Sequence, residues 1–198
     1  MIGKKQVSLF FLALLFFLFA GGMAKANKPV INEILINGDF EQDLAIGWQV
    51  STKDIAGRSV IYRAESGENH YAYLLKEWCG YAQLQQIVKL KSLNQVLSFR
   101  LRLNARSNRK GYFATAAFII SFLDDNNKSL AETKIAYSTT QLSNTSTSHF
   151  YLSEPGEWKN YLIDLKKELN THFPKIDIGK VKRLKIALAT YNNKTSGC

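Results

Sequence analysis

The fold of this chain is indicated most clearly by the stretch YFATAAFIISFLDDNNKSLAETKIAY at residues 112–137. Residues 112–123 form a long apolar run, which predicts a central strand that is covered on both faces. The acidic and amide residues at 124–127 are typical of a tight turn. A second strand-like run follows at residues 130–137, so the whole stretch predicts a β-hairpin.

Alternation of apolar and polar residues continues over most of the remaining chain. In residues 97–104, leucine or phenylalanine alternates with serine, arginine and asparagine, as expected for a strand with one solvent-exposed face. Further strands are predicted at residues 81–90 and 184–189, with shorter candidates at 31–36, 58–64, 71–75 and 158–165. Only residues 165–172 have a helical pattern, and residues 138–153, rich in serine and threonine, are predicted to be a long surface loop. The sequence therefore predicts an all-β protein, an antiparallel β-sandwich or jelly roll with one short helix.

The first 26 residues have the pattern of a cleaved signal peptide. Lys4 and Lys5 precede an apolar run at residues 7–20, and Ala24 and Ala26 supply the small residues for cleavage before residue 27. The run is shorter than the roughly 20 residues that span a bilayer, although an uncleaved anchor helix is the alternative. We therefore expect a single domain at residues 27–198 that is secreted, periplasmic or extracellular, with no transmembrane segment.

Composition and charge limit the kinds of partner that this protein is expected to bind. The chain has 198 residues, 46% of them hydrophobic and 21% charged, which is typical of one globular domain. Its net charge of +10 falls to +7 when the three lysines of residues 1–26 are removed. The basic residues are dispersed and no nucleic-acid recognition module is present, so nucleic acid is not a predicted partner. A secreted protein of this charge suits an anionic polysaccharide or a membrane surface, although solvated surface charge is the simpler explanation of the same count.

Catalysis has little support in the sequence. The three histidines lie at residues 70, 149 and 172 without the spacing of a metal motif, and no nucleophile elbow or phosphate-binding loop occurs. The acidic pairs at residues 65/68 and 124/125 lie in turn-like segments. We therefore predict that the chain is not an enzyme. Cys79 and Cys198 are predicted either to form a disulfide after export, or to remain free or bridge to another chain.

Three phrases occur in a recognisable order. Residues 36–41 have the sequence INGDFE and are followed by Gly47 and Trp48, residues 80–88 are GYAQLQQIV, and residues 157–161 are EWKNY. In this order they resemble the carbohydrate-binding modules of families four and nine, within the galactose-binding-like jelly-roll superfamily. The resemblance covers roughly residues 30–191. It implies a jelly roll that binds carbohydrate without catalysis, in a superfamily that has many unrelated functions.

The resemblance also implies a structural calcium ion beside the INGDFE turn. Glu41 matches the family's ligand and Asp39 lies close to it in sequence, whereas the alternative is that both acids only organise a tight turn. The family ends with a further strand that carries another acidic ligand, and this sequence stops at Cys198, so either the closing strand is lost or the reading frame is truncated. We therefore expect the strand at residues 31–36 to have an unpaired edge, which would suit a protein partner.

Aromatic and polar residues suggest where a sugar would bind. Trp48 and Trp158 lie in the family phrases and are predicted to be core, whereas Trp78 lies in a polar junction and is predicted to lie at the mouth of a groove. Residues 97–104 present basic and amide side chains on one face, which suits an acidic glycan, although a solvated sheet face is the alternative. The predicted ligand-binding residues are Trp78, Tyr81, Arg100, Arg102, Asn104, Tyr112 and Tyr191.

Three functions follow from these observations. The leading hypothesis is a secreted, non-catalytic carbohydrate-binding protein that recognises a glycan through a concave sheet face. The second is an envelope or extracellular module that uses the same fold to bind another protein. A hydrolase on a jelly-roll scaffold ranks last.

Overall fold

The structure, a computed structural model, describes residues 34–107 and 111–192. Its elements in chain order are β1 (Gln49–Asp54), β2 (Ser59–Ser66), β3 (Asn69–Lys76), β4 (Gly80–Lys89), β5 (Val96–Leu101), β6 (Ala114–Leu123), β7 (Ser129–Ser138), β8 (Ser148–Leu152), β9 (Lys159–Asp164), α1 (Leu165–His172), a 3-10 turn (Ile178–Lys180) and β10 (Arg183–Asn192). The predicted signal peptide at residues 1–26 lies outside the described residues, as does Cys198. No helix among the described residues is long and apolar enough to cross a membrane.

The strands form a β-sandwich. Six strands make one sheet in the order β1-β4-β10-β6-β7-β8, and the pairs β2-β3 and β5-β9 make up the second layer. All pairings are antiparallel except the pairing of β7 with β8. One apolar core joins the layers, and within it the ring of Phe99 on β5 stacks on that of Phe118 on β6 at a centroid distance of 4.1 Å.

The central hairpin and the helix are confirmed. Strand β6 is buried along nearly its whole length, lies between β10 and β7, and turns into β7 through residues 124–127. Helix α1 begins after Asp164, whose carboxylate accepts the Lys167 N–H at 2.9 Å as an N-cap. The alternating pattern of residues 97–104 also holds, because leucines 97, 101 and 103 are buried while Arg100 and Arg102 are exposed.

Three segments differ from the sequence prediction, and the first is β1 at residues 49–54, which was not predicted. Residues 138–153 are not one long loop, because they contain β8, whose alternating serine, histidine and aromatic residues did not stand out beside the serine- and threonine-rich stretch. The described part of the predicted strand at residues 31–36 is turn and coil rather than strand. The side-chain amide of Gln86 takes the place of a neighbouring strand there, since it accepts the Ile36 N–H at 2.8 Å and donates to the Ile36 carbonyl at 2.9 Å.

Buried amide side chains hold the segment at residues 36–47 on the sheet. Besides Ile36, Gln86 also binds the carbonyl of Gly47 at 2.8 Å. Gly47 has a φ of +87°, and a Cβ at this position would lie 2.8 Å from the Gln86 amide nitrogen, so only glycine fits. Asn37 accepts the Gln42 N–H and donates to the Asp43 carbonyl, which closes the turn.

We expect Gln86→Leu to lower the free energy of unfolding by about 1–3 kcal/mol, because it leaves buried backbone groups unpaired. The matched control is Gln85→Leu, which changes the same residue type on the opposite face of β4 and is expected to have an effect within about 0.5 kcal/mol. Urea unfolding of both variants measures the difference. Equal stability of the two variants would contradict the role given to Gln86.

Candidate functional site

A cavity of about 970 Å³ lies between the two layers of the sandwich. Core side chains of β6 and β10, such as Phe118 and Leu188, form part of its apolar wall. Aromatic and basic side chains line the rest, and several of them are exposed to solvent. The polar and aromatic lining includes Tyr71, Lys76, Glu77, Trp78, Arg100, Arg102, Asn104, Arg106, Tyr112 and Trp158. We refer to this cavity as the interlayer groove.

Trp78 lies on the loop between β3 and β4. Its side chain is 58% exposed, and its backbone has a φ of +61°, a left-handed conformation that is unusual for a bulky residue. Its carbonyl accepts a hydrogen bond from the side-chain amide of Asn192 at the end of β10. A strained backbone that presents a large apolar ring to solvent is more typical of a functional site than of packing.

A buried lysine supports the Trp78 loop from beneath. The Lys76 side chain is 0% exposed, and its ammonium donates to the carbonyls of Ala56 and Glu77 at 2.9 and 2.5 Å. The same ammonium lies 3.3 Å from a carboxylate oxygen of Asp54. The hydrogen bond from Ser59, followed by that from Lys76, holds the pKa of Asp54 below its usual value. The lysine is therefore fully satisfied, as a buried charge has to be.

Backbone contacts fix the far end of the same loop. Gly80 has a φ of +122°, and a Cβ there would lie 1.7 Å from the Lys53 carbonyl oxygen, so β1 and β4 approach each other closely at this point. Cys79 is buried and disulfide-bonded, while the other cysteine of the chain lies outside the described residues. The Cys79 carbonyl accepts the N–H groups of Ile55 and Ala56. The loop that carries Trp78 is thus attached to its neighbours on both sides.

Two arginines and a tryptophan form a second part of the groove. The guanidinium carbons of Arg100 and Arg102 each lie 5.4 Å from the ring centroid of Trp158, within the range of a cation–π interaction. Tyr71 packs edge-on against the same ring at 5.4 Å. Trp158 is 38% exposed, so the prediction that it belongs to the core is wrong, whereas Trp48 is buried as predicted. Trp158 directly precedes β9, beside the exposed face of β5, and therefore lies outside the core.

The arginines of the groove have no acidic partner within the described ranges. None of the ion pairs there involves Arg100, Arg102 or Arg106. Glu77, the one carboxylate among the described lining residues, is paired with Arg58 at 2.9 Å. The groove therefore presents unneutralised positive charge beside aromatic rings.

The structure divides the seven predicted ligand-binding residues into two groups. The larger group lines the interlayer groove and comprises Trp78, Arg100, Arg102, Asn104 and Tyr112. Tyr81 and Tyr191 instead face each other across β4 and β10 on the opposite face of the six-stranded sheet. Tyr81 and Tyr191 therefore do not share a surface with Arg100 and Arg102, because β5 pairs with β9 in the other layer. Burial raises the pKa of Tyr191, and Tyr81 lies 3.3 Å from the Ser51 hydroxyl.

Sequence reasoning missed several side chains of the groove. Trp158 was assigned to the core, and Tyr71, Lys76 and Arg106 were not considered. The alternation of residues 97–104 contained a usable signal for Arg106, since it continues the series of even-numbered polar positions after Arg102 and Asn104. No signal marked Lys76, because a lysine at the end of a strand is usually solvated.

The predicted calcium ligands have other partners. Asp39 accepts the Glu41 N–H at 3.2 Å, and the Glu41 carboxylate lies 2.9 Å from the His70 imidazole. Arg63 donates to the carbonyls of Phe40 and Glu41 at 2.6 and 3.2 Å, which takes the backbone oxygens that a cation would need. The donors as arranged therefore do not fit a calcium ion, and calcium binding at Asp39 and Glu41 stays a prediction from the resemblance.

Comparison with known proteins finds distant similarity among solved structures. No protein-family model matches this chain, and no curated protein matches it. Among solved structures, it is similar to the family 11 carbohydrate-binding module of the cellulosomal cellulase Lic26A-Cel5E of Clostridium thermocellum. The match has 12% sequence identity and a TM-score of 0.35, and it covers 81% of this chain and 90% of that one. At this distance the likeness carries no argument about the site.

We expect Arg63→Lys to lower the free energy of unfolding by about 1.5–3 kcal/mol, because an ammonium cannot reproduce the fork that binds two carbonyls. The control is Arg58→Lys, whose exposed ion pair is expected to contribute little. Both are measured by urea unfolding.

We also expect added calcium to leave the melting temperature of chelator-treated protein unchanged, since Arg63 holds the turn in place of a cation. A rise in melting temperature on addition of calcium would contradict this account and support the calcium prediction, because a ligand that binds only the native state stabilises it.

Proposed function

We propose that this protein binds an acidic glycan in the interlayer groove without catalysing a reaction. The observation that carries the proposal is the strained, solvent-facing Trp78 in the same groove as Arg100 and Arg102, which have no acidic partner among the described residues. The sequence resemblance to carbohydrate-binding modules favours the same class of ligand. The signal-peptide pattern at residues 1–26 favours action outside the cytoplasm.

The aromatic residues supply the apolar half of sugar recognition. A pyranose ring has an apolar C–H face that packs against an aromatic ring, and the rigid indole of tryptophan loses little entropy when it binds. Trp78 offers such a ring on a loop that Lys76 and Gly80 hold in place. We therefore assign Trp78 as the stacking platform.

The arginines supply the polar half. A guanidinium binds a carboxylate or sulfate through two parallel hydrogen bonds, which neutral sugars cannot match. Arg100 and Arg102 are positioned against the Trp158 ring before any ligand arrives, so less conformational entropy is lost on binding. Uronic acid residues are therefore the favoured sugar units, with the side-chain amide of Asn104 available to their hydroxyl groups.

The acidic residues of the groove argue against hydrolysis. Glycoside hydrolysis requires two carboxylates about 5–10 Å apart on either side of the bond. Among the described lining residues, Glu77 is the one carboxylate, and its ion pair with Arg58 occupies it. The lining therefore suits binding better than bond cleavage.

Protein binding is the second candidate function. Strand β8 lies at the edge of the six-stranded sheet, and Leu152 at its end is 74% exposed. An edge strand with an exposed apolar residue can pair with an added strand of a partner. This candidate replaces the predicted edge at residues 31–36, whose described part is not a strand.

We expect Trp78→Gly to weaken binding of an oligouronide by at least about tenfold, equivalent to about 1.4 kcal/mol. Glycine removes the ring and also relieves the positive φ, so the melting temperature should not fall. The matched control is Tyr81→Ala on the opposite sheet face, which should bind like the parent. Isothermal titration calorimetry measures binding, and melting curves monitor folding. Unchanged oligouronide binding by Trp78→Gly would contradict the assignment of the platform.

We expect Arg100→Gln to weaken the binding of oligouronides but not the binding of neutral oligosaccharides. Added salt should also weaken oligouronide binding, because exposed charges are screened over about 8–10 Å. The control is Arg183→Gln, which removes the same charge from the end of β10, outside the groove. An equal loss of oligouronide binding in both variants would mean that net charge, and not the position of Arg100, causes the loss. Failure of the parent to bind any glycan would favour the protein-binding candidate at β8.

A further inference from the structure

A cluster of metal-binding side chains lies away from the interlayer groove, where α1 meets β7 and β8. The ligand atoms of His149, Glu168 and His172 all lie within 4.8 Å of one another. None of the three residues lines the groove. Two of the chain's three histidines meet here although 22 residues separate them in sequence.

Two regular elements bring these residues together. The parallel register of β7 and β8 aligns Thr133 with His149 and Ile135 with Tyr151. Glu168 and His172 are four residues apart on α1, so they lie on one face of the helix. The helix and the edge strand therefore meet through one polar cluster in an otherwise apolar region.

The carboxylate of Glu168 is buried and oriented. The residue is 6% exposed, and Thr133 donates to its Oε1 at 2.7 Å while Tyr151 donates to its Oε2 at 2.9 Å. Burial and the bond to Glu168 raise the pKa of Tyr151 to about 12, so its hydroxyl stays protonated. No lysine or arginine forms an ion pair with Glu168 within the described ranges, and His172 is its one basic partner there, at 3.9 Å. A buried carboxylate with so little compensating charge has an affinity for a cation.

The two imidazoles present nitrogen ligands. Their rings are stacked, with centroids 3.6 Å apart and planes 15° from parallel. The His149 side chain makes no hydrogen bond to any described residue, whereas His172 Nε2 lies 3.0 Å from the Tyr151 hydroxyl. The position is thus rich in metal ligands.

We propose that His149, Glu168 and His172 bind a divalent transition metal of the zinc type. Two imidazoles and one carboxylate form a donor set that suits zinc, whereas calcium requires six to eight oxygen ligands. Tetrahedral ligand atoms are about 3.3–3.6 Å apart, because zinc bonds to nitrogen and oxygen are about 2.0–2.2 Å long. The 3.9 Å between His172 and Glu168 is close to this value. Binding turns the imidazoles out of their stack so that both lone pairs converge.

The neighbouring hydroxyl groups complete the site. Thr133 holds Oε1 of Glu168, as partners of metal-binding carboxylates commonly do. Oε2 accepts a hydrogen bond from Tyr151, which the metal would replace. The Tyr151 hydroxyl lies beside both Glu168 and His172, at 2.9 Å from Oε2 and 3.0 Å from Nε2. The metal would join the edge strand β8 to α1, which gives it a structural role separate from glycan binding.

The test measures zinc binding by untagged full-length protein that has first been treated with a chelator. We expect one zinc ion per chain in a competition titration with a chromophoric chelator, and a higher melting temperature with zinc. His149→Ala and His172→Ala should each lose this binding. The matched control is His70→Ala, which removes the remaining histidine, paired with Glu41 and Glu65 instead. Thr133→Val should weaken affinity about 10- to 100-fold.

A second measurement needs no variant. Cobalt(II) added to the parent protein should give the visible absorption of a four-coordinate site with nitrogen and oxygen ligands, and zinc should displace it. Absence of stoichiometric zinc binding by the parent protein would overturn the proposal. Equal zinc binding by His149→Ala, His172→Ala and the parent would also overturn it.

Discussion

Alternation of side chains along β4, β10, β6 and β7 is the constraint on which the other features of the molecule depend. Successive residues of a strand point to opposite faces, so the register of these four strands decides which residues enter the sandwich. The inner face carries Leu84, Ile120, Ile135 and Ile186, which are fully buried in the core. It also carries Thr133, whose hydroxyl therefore points inward and donates a hydrogen bond to Glu168. Tyr81 and Tyr191, one position out of phase, face away from the groove.

The interlayer groove and the histidine cluster lie at different places in the sandwich. The interlayer groove lies where the layers separate, and its stacking residue depends on a loop that a buried lysine and a close backbone contact hold in an unfavourable conformation. The histidine cluster lies where a helix covers an edge strand, and its carboxylate is fixed by hydroxyl groups from two strands. Side chains that are already fixed lose less entropy on binding, so both arrangements favour the binding that we propose.

The sequence predicted the regular elements better than it predicted which of them meet. The apolar run at residues 112–123 and the helix at residues 165–172 were recognised because local periodicity and turn residues are sufficient for them. The location of Arg100 in a different layer from Tyr191 depends on long-range pairing of β5 with β9, which no local pattern encodes. The meeting of His149 with His172 likewise depends on a parallel pairing inside a segment that was predicted to be a loop.

The central claim is that glycans bind in the interlayer groove, and the three tryptophans of the chain offer the most direct test of it. Their indole N–H signals can be followed by ¹H–¹⁵N NMR during titration with an oligouronide, after assignment by single substitution. The account predicts shifts for Trp78 and Trp158, which line the groove at its exposed side, and a much smaller change for Trp48, whose indole donates to the Asn37 carbonyl in the core. Saturable binding that leaves the Trp78 and Trp158 signals unchanged would contradict it.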